Sequence, residues 1–321
     1  MTAKEVYKIH RKKYSNILNN EEFRLLDFKS IEEANIYYDN LKTWIIKSMH
    51  PEVQAFFQSS KILVAVGISA RPKSYVRLLG DSNEYILIIE SSLINLLHDF
   101  ITLSVIHKYK ISNEGYFEKF KLAIQDLDET GIYLPNFRDV KNIDFLEKYR
   151  QEITIYSEYV VKYVICHELG HLYYEKHISN TNTKHAQEMS ADAAAIMIMI
   201  QSNKFKTLTN IKEKGLHSFS SFLSPIFFFA TMVYCNHLLG KNQNEMINFD
   251  LHPSEHSRLA AFLAFYKLIF KPNIIFNQIY NTSYSFLSFM DTSFPSVEFI
   301  EKLCMFNSEL SLSFEKFLSK K

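Results

Sequence analysis

The segment Val160-Val161-Lys162-Tyr163-Val164-Ile165-Cys166-His167-Glu168-Leu169-Gly170-His171-Leu172 decides how the rest of the chain is read. Its apolar residues Val160, Val161, Val164, Ile165 and Leu172 recur at helical spacing and predict a buried helix. Positions four apart on a helix share one face, so His167 and His171 aim two imidazoles at one point, with Glu168 beside them. Burying that trio without a partner is costly, and a cation supplies the partner. With 12 histidines in 321 residues, an accidental His-Glu-x-x-His match is expected roughly 0.03 times per chain.

Two neutral imidazoles and one further protein ligand make a donor set that zinc favours, with an open position for water. The metal lowers the pKa of that water toward neutrality, and Glu168 is placed to take its proton. Two positions compete for the third ligand. Glu188 lies 17 residues beyond His171 at the start of the next predicted helix, and Asp192 follows one turn later on the same face. His177 completes a different spacing, one that requires glycine where this chain has Tyr174, because the backbone must turn sharply there. Glu188 is therefore preferred, and His177 reads as a polar residue near a helix C-terminus, where a cationic imidazole suits the dipole. Asp192 is expected behind the site, accepting the second ring N–H of a ligating histidine. Further along, His252-Pro253-Ser254-Glu255-His256-Ser257-Arg258 opens another helix, with Pro253 in its first turn. His252 is the candidate oxyanion donor, and Arg258 is expected to support the metal site from behind.

Outward from this segment, nearly everything after Gln151 has helical pattern, with helices expected at 153–177, 184–202, 216–239, 253–270 and 296–318. Before it, Ser30-Ile31-Glu32-Glu33 has the form of a capping box and predicts a helix to about Met49, stopped by Pro51. Three short runs, Ile62–Val66, Tyr75–Leu79 and Tyr85–Ile89, predict a small antiparallel or mixed sheet, with antiparallel the first expectation. A helix should follow from Ser91 to Tyr109. Lys110–Arg150 is mixed and polar and reads as a long loop or junction, and Asn273–Phe294 gives no reading. The expected class is α+β, predominantly helical, with the sheet beside the His167 helix. Residues 1–150 would form an α/β part and 151–321 a helical part carrying the metal site, together one catalytic unit.

Composition narrows the classes. The 36 basic and 35 acidic side chains leave a net charge of +1, so no overall field draws the chain to nucleic acid. Seven glycines form no phosphate loop or dinucleotide fingerprint. Three scattered cysteines argue against a disulfide framework, and Met1–Lys13 has no apolar stretch behind its charges. A cytoplasmic protein is expected. Phe219–Cys235 carries no charge but is short for a membrane span, contains Pro225 and lacks flanking basic clusters, so it reads as a buried core helix.

The set His167-Glu168-x-x-His171, Glu188-x-x-Ala191-Asp192 and His252-Pro253 with Arg258 resembles the gluzincin peptidases, and more narrowly the Lit phage-exclusion peptidase family. The likeness includes the three β runs leading into an aromatic-rich helix, Lys61 to Thr102, and covers roughly residues 60–270. It implies a cytoplasmic zinc endopeptidase that cuts a protein substrate, a translation factor in the known member, in phage exclusion or a toxin-like role. By position, His167, His171 and Glu188 would bind zinc and Glu168 would be the base. An extended substrate would pair with the sheet edge. A related His-Pro and arginine pattern occurs in HtpX-type membrane-associated housekeeping peptidases, which is the alternative enzyme. A non-catalytic regulator on the same fold is the alternative from another class, and the intact Glu168 weighs against it.

Overall fold

The computed structural model describes residues 2–14, 30–47, 49, 51–67, 72–79, 83–111, 114–133, 143–177, 184–202, 211–239, 255–269, 274–293, 295 and 300. A first helix, α1, spans Ala3–Tyr14. Ser30 then does what its capping pattern predicts, its Oγ accepting the Glu33 N–H at 3.1 Å at the start of α2, Ile31–Lys47. Pro51 ends that helix but also opens α3, Pro51–Ser59, because a first-turn position needs no N–H donor.

The strands are β1, Lys61–Gly67, β2, Ser74–Leu78, and β3, Glu84–Glu90, in the order β1-β3-β2. The antiparallel expectation holds for β2 against β3 only; β1 runs parallel to β3 with Leu63 opposite Ile86. The physical reason lies in burial. Lys61-Ile-Leu-Val-Ala-Val-Gly67 and Glu84-Tyr-Ile-Leu-Ile-Ile-Glu90 are almost unbroken apolar runs, as parallel strands covered on both faces tend to be. β2, in contrast, is partly exposed along its length.

One edge of this sheet is closed by side chains. From α2, Asn35 Oδ1 accepts the Val66 N–H at 2.6 Å, Asp39 Oδ1 accepts the Val64 N–H at 3.3 Å, and Lys42 Nζ donates to the Ile62 carbonyl at 2.6 Å. From α1, the Tyr7 hydroxyl donates to the Val66 carbonyl at 2.9 Å. The spacing 35, 39, 42 is one helix face, matched to the outward-facing alternate residues of β1. β2 forms the other edge and lies along the helix of the histidine motif.

The remaining helices are α4, Ser91–Lys108; α5, Glu114–Thr130; α6, Ile143–His177; α7, Lys184–Ser202; α8, Ile211–Leu238; α9, Glu255–Ile269; and α10, Ile274–Leu287, followed by a 3₁₀ turn at Ser288–Ser293. The stretch expected to be a loop, Lys110–Arg150, thus contains α5, whose Phe120 and Ile124 are buried in the core. α6 begins ten residues earlier than expected and runs 35 residues, about 52 Å. α10 occupies the region that gave no sequence reading. The helix expected at 296–318 lies outside the described residues except for Ile300, which is buried. α6 is the central element, packed by α4, α7 and α8, with β2 crossing it near the motif.

Aromatic side chains fill the space between these helices. Tyr156 on α6 meets Phe227 of α8 and Phe286 of α10 at 5.3 Å ring separations. Ser220–Leu238 is long and apolar enough to cross a membrane, with mean hydropathy 1.2, but 72% of that apolar window is buried inside the protein. Pro225 leaves the Ser221 carbonyl without its helical N–H, and Ser224 Oγ donates to that carbonyl at 3.0 Å, so α8 continues through the proline.

Candidate metal centre

The helix α6 projects His167 and His171 from adjacent turns, and their Nε2 atoms lie 3.1 Å apart. α7 brings Glu188 to them, with Oε2 at 3.4 Å from His167 Nε2 and Oε1 at 3.5 Å from His171 Nε2. Atoms bound at about 2.0–2.1 Å to one tetrahedral ion lie about 3.3–3.4 Å from each other, so these separations suit a single small cation. One atom from each of His167, His171 and Glu188 lies within 4.8 Å of the others, a grouping that could hold a metal ion.

The approach of α7 depends on Gly170. A Cβ at that position would come within 2.7 Å of the Ala191 carbonyl oxygen and 3.0 Å of the Ala191 Cα. The glycine between the two histidines therefore lets the backbones of α6 and α7 come close enough for Glu188 to reach the imidazoles.

Behind the pair lies a buried polar network. Asp192 Oδ1 sits 2.8 Å from His167 Nδ1 in a short but bent contact. Arg258 of α9 clamps Asp192 with both arms, Nε to Oδ2 at 2.8 Å and Nη2 to Oδ1 at 2.7 Å. Its Nη2 also lies 3.3 Å from Glu188 Oε2, and its guanidinium rests over Phe229 at 4.6 Å. Tyr163, one turn before His167, donates its hydroxyl to Asp192 Oδ1 at 2.9 Å. A planar fork between two carboxylates is a task for arginine in particular.

The charges follow from this packing. Burial alone would push the His167 imidazole down, but hydrogen bonding to Asp192 and Glu188 outweighs it and raises the group to about 9. His171, buried and beside His167, is lowered to about 4. Burial opposes ionisation of Glu188 and Asp192. For Glu188 the His167 hydrogen bond and charge overcome this and bring it to about 2, while for Asp192 the Arg258 charge does so and holds it far below the carboxylate range. The centre thus favours a positive charge between His167 and Glu188, which is the preference a cation would satisfy.

Glu168, next to His167 on α6, reaches the edge strand of the sheet. Its Oε1 accepts the Ser74 hydroxyl at 2.6 Å. Burial raises its pKa, opposed by the neighbouring His167, the Ser74 hydroxyl and the Val76 backbone. Residues 122–275 match the family model Peptidase U49. The matched stretch runs from α5 to the start of α10 and includes His167, Glu168, His171, Glu188, Asp192 and Arg258. The likeness to Peptidase U49 supports a proteolytic function. No curated protein and no solved structure matches the chain.

Of the residues singled out by sequence, the structure brings together His167, Glu168, His171, Glu188, Asp192 and Arg258. His252 lies outside the described residues, as do the side chains of Tyr174 and His177. Two contributors were missed. Tyr163 had a usable signal, since it precedes His167 by four residues on the same face. Ser74 had none, because it is 94 residues from Glu168 in a strand whose neighbour was unknown. The strand beside the motif is β2, and β3, which holds Tyr85–Ile89, pairs with it at the centre of the sheet.

Proposed function

We propose that this protein is a zinc-dependent endopeptidase acting on a protein substrate, in the manner of the Lit-type phage-exclusion enzymes. The observation that carries the reading is the convergence of His167, His171 and Glu188, with Glu168 next to His167 on α6. The match to Peptidase U49, the Lit-type family, supports it over the same helices. His167, His171 and Glu188 would hold the ion, which when bound supplies Lewis acidity and lowers the pKa of water. Glu168 accepts the proton of the attacking water and returns it to the departing amine nitrogen, completing hydrolysis without net proton change. Asp192 fixes the tautomer of His167 through Nδ1, so that Nε2 faces the ion with its lone pair. His252 is assigned as the donor to the developing oxyanion. The outward-facing backbone of β2 offers an extended peptide a strand to pair with.

The test is expression of the wild type and Glu168→Gln in cells, followed by proteomics for new peptide termini. Termini are expected in the wild type only, with one zinc per chain retained in both proteins. General-base assistance contributes ~10²–10⁴-fold, so turnover by the variant should fall by that much or more. Equal cleavage by both proteins would refute the mechanism.

A further inference from the structure

The register of β2 determines which of its groups face the motif helix. Glu90 N donates to the Lys73 carbonyl and Leu79 N to the Glu84 carbonyl, and the β2–β3 pairing runs between these ends. In an antiparallel pair, alternate residues exchange main-chain bonds with the partner. Residues 73, 75, 77 and 79 therefore bond to β3, while the main-chain groups of Ser74, Val76 and Leu78 point away from it. The Ser74 side chain, at the same edge, donates to Glu168 Oε1 at 2.6 Å.

Glu168 is only 6% exposed, and a carboxylate so buried is costly unless it is hydrogen-bonded. We propose that Ser74 is a positioning residue for Glu168: its hydroxyl pins one carboxylate oxygen so that the base faces the water in a single orientation. This rests on the peptidase reading and deepens it. An ionised carboxylate accepts about four hydrogen bonds, so the Ser74 donor leaves room for the water. The sheet itself does not need the Ser74 hydroxyl, because the β2–β3 ladder is made by main-chain groups. The strand that offers its edge to a peptide thereby also sets the base that activates the attacking water.

Ser74→Ala and Ser74→Thr are compared with wild type on a synthetic peptide spanning a cleavage site recovered from the cellular termini. Ser74→Ala is expected to lower kcat by roughly 10–100-fold with KM within about twofold and zinc content unchanged, as loss of an outer-shell partner does. Ser74→Thr keeps the hydroxyl in a residue suited to strands and should restore kcat to within about threefold. A wild-type or raised kcat in Ser74→Ala, or equal losses in both variants, overturns the proposal. A second measurement needs no substrate. In a cycle of Ser74→Ala, Glu168→Ala and the double variant, urea unfolding constants should deviate from multiplicativity by on the order of 10-fold. Multiplicative effects would overturn the contact whatever the fate of the peptidase reading. A wild type that yields no new termini would instead refute that reading and the catalytic part of this proposal with it.

Discussion

Replacing Arg258 by methionine removes one charge from a site where the structure fixes what that charge was balancing. Asp192 is almost fully buried and receives both arms of the guanidinium, and Glu188 lies 3.3 Å from the same Nη2. Methionine can keep the apolar contact with Phe229 but leaves buried Asp192 and half-buried Glu188 with only the His167 imidazole as a cationic partner. Breaking a buried pair by removing one partner costs ~3–5 kcal/mol. Tyr163 and His167 still bond Asp192, so the lower end applies: about 3 kcal/mol, or ~10²-fold in the unfolding constant. Urea denaturation followed by circular dichroism measures it. Adding Asp192→Asn removes the stranded charge, so the double variant should be more stable than the sum of the two single losses by about 2 kcal/mol. Zinc affinity, measured by competition with a chelating dye, should weaken ~10–100-fold in Arg258→Met, because Glu188 and His167 lose their support. A single loss under about 1 kcal/mol, or strict additivity in the double variant, would refute the account of Arg258 as the tie between α7 and α9.

Gly170→Ala should cost about 1–3 kcal/mol and reduce zinc retention, since its Cβ would press on the Ala191 carbonyl; a neutral effect would show that α6 and α7 are not held at this distance. Glu188→Ala should abolish metal binding in elemental analysis while His177→Ala should not, and the reverse would hand the site to the His177 spacing. Chelator-treated protein should be most stable between the ordinary carboxylate and imidazole ranges. Glu188 is depressed from 4.5 to about 2, so its contribution is complete above 4.5 and disappears as pH falls toward 2. His167 is raised from 6.5 to about 9, so its contribution is complete below 6.5 and is lost as pH rises through 9. The two describe one contact and are not summed. Melting temperatures of the metal-free protein should therefore drop on both sides, and saturating zinc should abolish the alkaline drop; a flat alkaline limb without metal would contradict the geometry.

What could be read in advance was what local spacing determines. His167 and His171 share a face wherever the segment is helical, and Glu188 with Asp192 repeats that logic one helix later. The parallel pairing of β1 with β3 was not read in advance: their almost unbroken apolar runs suit it, but such runs also occur in other buried segments, and strand direction is settled by the connection. α10 was missed because its mixture of isoleucine, asparagine, tyrosine and serine has no marked helical preference; packing against α4 and α8 makes it a helix. Ser74 was illegible for a deeper reason: a hydroxyl gains meaning only from what faces it, and here that is a carboxylate brought by tertiary folding.

The polar face of α2 makes the sheet polar in a sense unrelated to charge. With Asn35, Asp39 and Lys42 occupying main-chain groups on the outer side of β1, strand addition is blocked there and remains possible along β2. Among the described residues the sheet is left open along β2 alone, and that edge leads to Glu168. Any extended chain that joins it must count its register from Ser74 in steps of two, so a slip of one residue would turn its carbonyls away from β2. Sealing one side of a three-stranded sheet is in this way a form of addressing: of its two edges, the one that the described residues leave unsealed is the one beside the histidines.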